Sequence, residues 1–172
     1  QSLARINPKN VLEVGCGLGI STQVIAESLP NTRVDGVDIS EIAVEKARRS
    51  FPDLQFFSED IGAENFEWRK TREYDVVILH NVLWYVLHCL PNVYRNSIRL
   101  LNTNGRLIVC NAFLSNQRFG RDIIDGFEGM KSYALKHWGN HFREEHASCA
   151  EIGEEQEHIY GCLCLKRING VI

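Results

Sequence analysis

The run VLEVGCGLGIST at residues 11–22 constrains this chain more than any other stretch. An apolar segment of strand type ends in Gly15, Gly17 and Gly19, and a helical pattern starts directly after them. Strand, glycine turn and helix in that order is how an open α/β sheet makes a nucleotide pocket. Glycines let the backbone approach a ligand closely, and the helix start adds free N–H groups. The spacing is Gly-x-Gly-x-Gly with Glu13 two residues ahead, and Ile20 stands where a Gly-x-Gly-x-x-Gly dinucleotide site would put its last glycine.

The rest of the chain alternates in step with that start. Ile20, Val24, Ile25, Ala26 and Leu29 form one helical face, with Ser21 or Thr22 as the cap and Pro30 as the stop. Residues 33–39 read as a second strand, and Ser40 caps a helix carrying Ile42, Ala43 and Ala47 that closes before Pro52. Residues 54–57 make a short third strand, followed by a polar, weakly patterned stretch at 62–73. In YDVVIL (residues 74–79) four successive apolar residues suit a central parallel strand covered on both faces. A helix over 91–101, a turn at 102–105 and a buried strand over 106–110 follow. A helix over 122–137, weakened by Gly126 and Gly129, leads to strands at 142–149 and 158–165 joined by an acidic segment. Strand and helix alternate as β-α-β-α-β-α-β-α-β, which predicts a doubly wound α/β sandwich of three layers. A final strand linked by a hairpin runs antiparallel to its neighbour.

At 172 residues the expectation is one domain spanning 1–172. A net charge of −3 without a basic stripe gives no reason to expect a nucleic-acid partner. The six cysteines contain no C-x-x-C, and Cys162 and Cys164 alternate along an apolar strand. Reduced thiols are therefore expected rather than disulfides or metal ligands, in a cytoplasmic setting. The histidines share no metal-ligand spacing, so no metal is expected. Neither a signal peptide nor a long apolar stretch is apparent, so no membrane partner is expected.

Several residues suit chemistry by type and place. Asp38 closes the second strand nineteen residues after Gly19, where a carboxylate accepts from both hydroxyls of an adenosine ribose. Glu13, inside an apolar strand, either fixes the glycine loop or meets the ammonium of an amino-acid-bearing cofactor. Asp60 with the Ile61 backbone N–H can read an adenine edge. His80 ends the central strand, on the side where ligands bind such sheets, and Trp84 and Tyr85 supply aromatic faces for a cation.

The segments VLEVGCGLG, VDGVDIS, SEDI, YDVVILHNVLWYV and LLNTNGRLIV, with the closing strand pair, resemble the successive motifs of the class I S-adenosylmethionine (SAM) methyltransferases of small-molecule type. The resemblance covers residues 10–167. It implies a mostly parallel seven-stranded sheet in the order 3-2-1-4-5-7-6 with the last strand antiparallel. It also implies SAM as cofactor, held by Glu13, Gly15, Cys16, Gly17 and Gly19 at the methionine end, Asp38 and Ile39 at the ribose, Asp60 and Ile61 at adenine, and His80 beside the amino group. His80 as general base and Tyr85 as orienting group are the catalytic candidates. The chain departs from the family at residues 102–105, where relatives usually carry a Lys-Pro-Gly-Gly turn, and it lacks the Asn-Pro-Pro-Tyr or Asp-Pro-Pro-Tyr of base and glutamine methylation. A small-molecule acceptor, a sugar or other metabolite methylated on O or N, is therefore expected. A homodimer is left open, as are a non-catalytic SAM-binding module and, on a different cofactor, a nicotinamide oxidoreductase. Acceptor contacts are expected from residues 1–9 (where relatives carry a lid that is lacking or trimmed here), from 111–120 with Phe113, Arg118 and Phe119, and from the helix ending at Trp138.

Overall fold

The computed structural model describes residues 6–68, 73–152 and 158–168. Seven strands form one sheet: β1 (Asn10–Val14), β2 (Arg33–Asp38), β3 (Gln55–Ser58), β4 (Tyr74–His80), β5 (Leu101–Leu114), β6 (Phe142–Ile152) and β7 (His158–Arg167). Their order is β3-β2-β1-β4-β5-β7-β6, parallel throughout except that β7 runs antiparallel to both its neighbours. This is the topology the resemblance implies.

Each inner strand is apolar on both faces because each face is covered. Leu12, Val14, Val77, Leu79, Leu107, Val109, Leu163 and Leu165 pack against helices α4 (Leu90–Leu100) and α5 (Gly126–Trp138) through Val93, Tyr94, Ile98, Met130 and Ala134. The alternate residues Val11, Val34, Val76, Ile78, Ile108 and Cys164 face α1 (Ile20–Ser28) through Ile25, Ala26 and Leu29. A smaller cluster seats α2 (Glu41–Ser50) by its Val44 and Ala47 on Cys16 and Phe56.

Several local expectations are corrected. Ser21 and Thr22 do not cap α1; Gly19 is its N-cap residue at φ 81°, without a side-chain bond, and both hydroxyls turn to Glu13. Ser40 does cap α2, accepting from the Ala43 N–H at 3.3 Å. Residues 59–68 form no helix between β3 and β4; Trp68 packs there on Phe57, Phe66 and Tyr74, and 69–72 lie outside the described residues. The segment after β4 winds into a single turn α3 (Leu83–Val86) and a 3-10 turn (Leu87–Cys89) ahead of α4. The expected turn at 102–105 is taken up into β5, whose pairing with β4 shifts register between Tyr74 and Val76 while Asn104 adopts φ 67°. Gly126 at φ 66° sets the start of α5 four residues later than expected. The acidic residues 153–157 and residues 1–5 lie outside the described residues.

Candidate functional site

Strand order reverses between β1 and β4, and an open parallel sheet leaves a crevice beyond its carboxyl ends at such a point. A cavity of about 370 Å³ lies there. Its walls come from the ends of β1 and β2 (Val14, Gly15, Val37, Asp38, Ile39), the turn after β3 (Glu59, Asp60, Ile61), and the segment after β4 (Asn81, Val82, Tyr85, Val86, His88, Cys89). Its volume is of ligand-site size and its lining is mostly apolar with a few carboxylates.

The glycine turn forms one edge. Gly15, Gly17 and Gly19 all have positive φ, at 76°, 52° and 81°. A Cβ on Gly15 would stand 2.6 Å from Val82 Cγ2, whereas one on Gly17 would meet nothing within 4 Å. The loop's N–H groups are largely spent internally. Those of Gly15 and Cys16 donate to the Val37 carbonyl, that of Gly17 donates to Asp38 Oδ2 at 2.9 Å, and that of Gly19 donates to the Cys16 carbonyl. A turn with these four donors occupied is a poor cradle for a pyrophosphate, which argues against a dinucleotide. Cys16 is turned into the core beside Phe56, and burial pushes its thiol up to about 12.

Asp38 ties this turn to the next helix, since its other oxygen accepts from the Ser40 N–H at 2.9 Å. A carboxylate has about four lone-pair sites, so both oxygens keep capacity toward the cavity they line. Ile39 is 70% exposed beside it, an apolar side chain held out over the opening. In the turn after β3, Asp60 Oδ1 accepts from the Gly62 N–H at 2.8 Å, and the Ile61 carbonyl accepts from buried Asn96 Nδ2. Asp38, Ile39, Asp60 and Ile61 thus share one cavity. These residues fit an adenosine: two acceptor carboxylates and apolar side chains line one cavity, beside a turn that admits close approach.

Glu13 is fully buried. Its oxygens accept from Ser21 Oγ and Thr22 Oγ1, each at 2.5 Å, and His80 Nδ1 stands 3.5 Å away. The geometry displays Glu13 as the anchor between β1 and the first turn of α1. His80, 34% exposed at its side chain, lies on the α1 face of the sheet against Glu13 and the ring of Tyr160. The Glu13 hydrogen bond holds its imidazole above the usual range, partly offset by burial. Tyr85, 78% exposed, lines the cavity mouth.

Sequence reasoning missed Asn81, Val82, Val86, His88 and Cys89. Val82, Val86, His88 and Cys89 come from the N-cap of a one-turn helix, its last residue and the 3-10 turn after it, so no helical period in the sequence marks them. Trp84 does not face this cavity. Its Nε1 donates to the Ala112 carbonyl at 3.0 Å, and its ring meets Phe113 edge-on. There it borders a second cavity of about 410 Å³ with Phe113, Gln117, Arg118, Phe119 and His158. Trp138 instead stacks on Tyr94 in the core. Among the described residues no group of three or more His, Cys, Asp or Glu is placed to hold a metal ion, and no helix is long and apolar enough to cross a membrane.

Comparison with known proteins points the same way. Residues 12–107 match the family described as a methyltransferase domain. The malonyl-[acyl-carrier protein] O-methyltransferase 1 of Ilyobacter polytropus is 35% identical over 57% of this chain and 36% of its own length. The trans-aconitate 2-methyltransferase of Escherichia coli is 33% identical over 62% of the chain and 42% of its length. The matched region therefore spans less than half of either relative. In fold, the N-methyltransferase NodS of Bradyrhizobium japonicum superposes with a TM-score of 0.69 at 16% identity, covering 98% of this chain and 93% of its own. The magnesium protoporphyrin IX methyltransferase of Synechocystis, solved with S-adenosylhomocysteine (SAH) bound, gives 0.68 at 18% identity over 97% and 77%.

Proposed function

The chain belongs to the methyltransferase domain family of class I SAM-dependent enzymes, and from that premise we propose that it methylates an oxygen or nitrogen of a small molecule bearing a carboxylate. The observation that carries the reading is the cavity between β1 and β4, which Asp38 and Asp60 line together with apolar side chains beside a glycine turn whose donors are occupied. SAM supplies an already activated methyl group on a sulfonium, so the chain's own task is alignment and exclusion of water.

Asp38 would hold the ribose hydroxyls, Asp60 and Ile61 the adenine edge, and residues 15–19 the methionine end. Glu13 keeps the turn in place by holding Ser21 and Thr22 rather than by reaching into the cavity. The acceptor is assigned to the second cavity, where Trp84, Phe113 and Phe119 offer apolar faces and Arg118 a cation. Malonyl and aconitate groups, for which the two curated relatives are named, are carboxylates, and Arg118 supplies the matching charge. Tyr85 at the first cavity's mouth, next in sequence to Trp84, would orient the acceptor. A carboxylate arrives deprotonated and needs no base.

The test is a single-turnover assay with methyl-labelled SAM and a panel of small carboxylic acids, alcohols and amines. Transfer to a carboxylic acid, with KM raised in Arg118→Ala and SAH binding unchanged, supports the proposal. SAH binding without transfer to any acceptor would favour a non-catalytic module.

A further inference from the structure

The sheet face that carries Glu13 and His80 holds a second reactive group that methyl transfer does not use. His80, Cys110 and Cys162 stand abreast in register on β4, β5 and β7. Register partners on antiparallel strands have Cα atoms about 4.5 or 5.5 Å apart, inside the ~4.4–6.8 Å that a disulfide spans. The two thiols already meet, Cys110 Sγ donating to Cys162 Sγ at 2.7 Å. Both cysteines are free and half-buried.

We propose that Cys110 and Cys162 are a redox-active pair that closes reversibly to a disulfide under peroxide, and that the closed form acts on the neighbouring His80 and, through Asn81, on the cofactor cavity. The attacking sulfur is Cys162. The hydrogen bond from Cys110 holds its thiol below the usual range, opposed by burial and helped by the charge of His80, and the same hydrogen bond pushes Cys110 up. The Cys162 thiolate takes one peroxide oxygen and becomes a sulfenic acid; the O–O bond breaks and the other oxygen leaves as water after taking a solvent proton. Cys110 then attacks the Cys162 sulfur, the S–O bond breaks, and the hydroxyl departs as a second water with the Cys110 proton. Two thiols are oxidised and one peroxide is reduced to two waters. Any dithiol reductant reverses the change by exchange.

The coupling runs through bonds already in place. The Cys110 carbonyl accepts from the Asn81 N–H at 2.8 Å, the Ala112 N–H donates to Asn81 Oδ1 at 3.1 Å, and Asn81 lines the cavity. Drawing β5 to β7 at Cys110 pulls on both anchors of Asn81. It also removes the Cys162 charge, which adds to the Glu13 hydrogen bond in keeping His80 protonated. The titratable groups around His80 are Glu13 on β1, Cys110 on β5, and Tyr160 and Cys162 on β7.

The experiment treats the full chain with hydrogen peroxide, maps non-reduced peptides by mass spectrometry and follows the His80 ring resonance with pH. The expected result is a Cys110–Cys162 linked peptide, a loss of two titratable thiols per chain, and full recovery with dithiothreitol. Cys162→Ser forms no such link, while Cys149→Ser, which removes an exposed thiol, behaves as wild type. In the oxidised protein His80 titrates at lower pH than in the reduced one. The proposal is overturned if both thiols still react with iodoacetamide after treatment, or if oxidation is confined to Cys149. A link that leaves the His80 titration unmoved refutes the coupling. The mass measurement involves no cofactor, so it stands apart from the methyl-transfer reading.

Discussion

Gly15 and Gly17 share a backbone strain but not a steric one, and that difference is measurable. At either position an alanine must adopt positive φ, which costs an L-residue about 1–2 kcal/mol. At Gly17 the added methyl meets open space, so that strain is the whole expected effect. At Gly15 it would stand 2.6 Å from Val82 Cγ2 and 2.9 Å from Val82 Cβ, adding an overpacking cost, typically about 1–3 kcal/mol. Val82 lines the cavity, so its displacement is felt by the ligand. The backbone strain is present with and without ligand. Gly17→Ala therefore lowers the unfolding free energy by about 1–2 kcal/mol and leaves SAH affinity nearly unchanged. Gly15→Ala lowers it by about 2–5 kcal/mol and also weakens SAH binding through Val82. The assay is calorimetric titration of SAH, with urea unfolding alongside to separate binding from stability. Val82→Ala removes the nearer clash and leaves the Cβ one, so the double variant recovers part of the loss, about 1 kcal/mol of coupling. Equal losses at the two glycines, or no recovery in the double variant, would refute the reasoning.

Three further outcomes follow from the packing and the charges. Glu13 raises the pKa of His80, so the associated stability is fully present below the unfolded value of about 6.5 and is lost as pH rises through the folded pKa. Urea unfolding of Glu13→Gln should accordingly show a larger deficit against wild type at pH about 6 than at pH about 8.5; a deficit that grows with pH contradicts the assignment. A Cβ on Gly161 would meet Phe127 Cδ2 at 2.2 Å, where α5 crosses β7, so Gly161→Ala should lower stability by about 1–3 kcal/mol; an unchanged melting temperature speaks against that crossing. The Tyr94 hydroxyl is buried without a hydrogen-bond partner among the described residues. Tyr94→Phe should therefore melt at or above the wild-type temperature, and a fall of several degrees would mean that the hydroxyl has a partner.

Gly15, Asp38, Ile39, Asp60 and Ile61, expected from the sequence, do line the cavity, and the glycine turn beside it was legible because its signals are local. A strand end, a turn and a helix start are encoded within a dozen residues, so Gly15, Gly17, Gly19, Asp38, Asp60 and Ile61 announce themselves by type and spacing. The wall after β4 was harder, because α3 is one turn long and gives no full period to read. The partners of Glu13 were hidden for another reason: Ser21 and Thr22 suit a helix cap equally well, and only the crossing of α1 over β1 turns them to the carboxylate. Cys110 and Cys162 meet only through the register of two strands, a pairing 52 residues apart that no spacing in the sequence reveals.

As a SAM site, the cavity between β1 and β4 should bind SAH and not a dinucleotide. Calorimetric titration of the chain with SAH, and separately with NADH, tests it most directly, with Asp38→Ala as the control. The account predicts saturable SAH binding, much weakened in Asp38→Ala, and no NADH binding. NADH binding in preference to SAH, or SAH binding indifferent to Asp38, would contradict it.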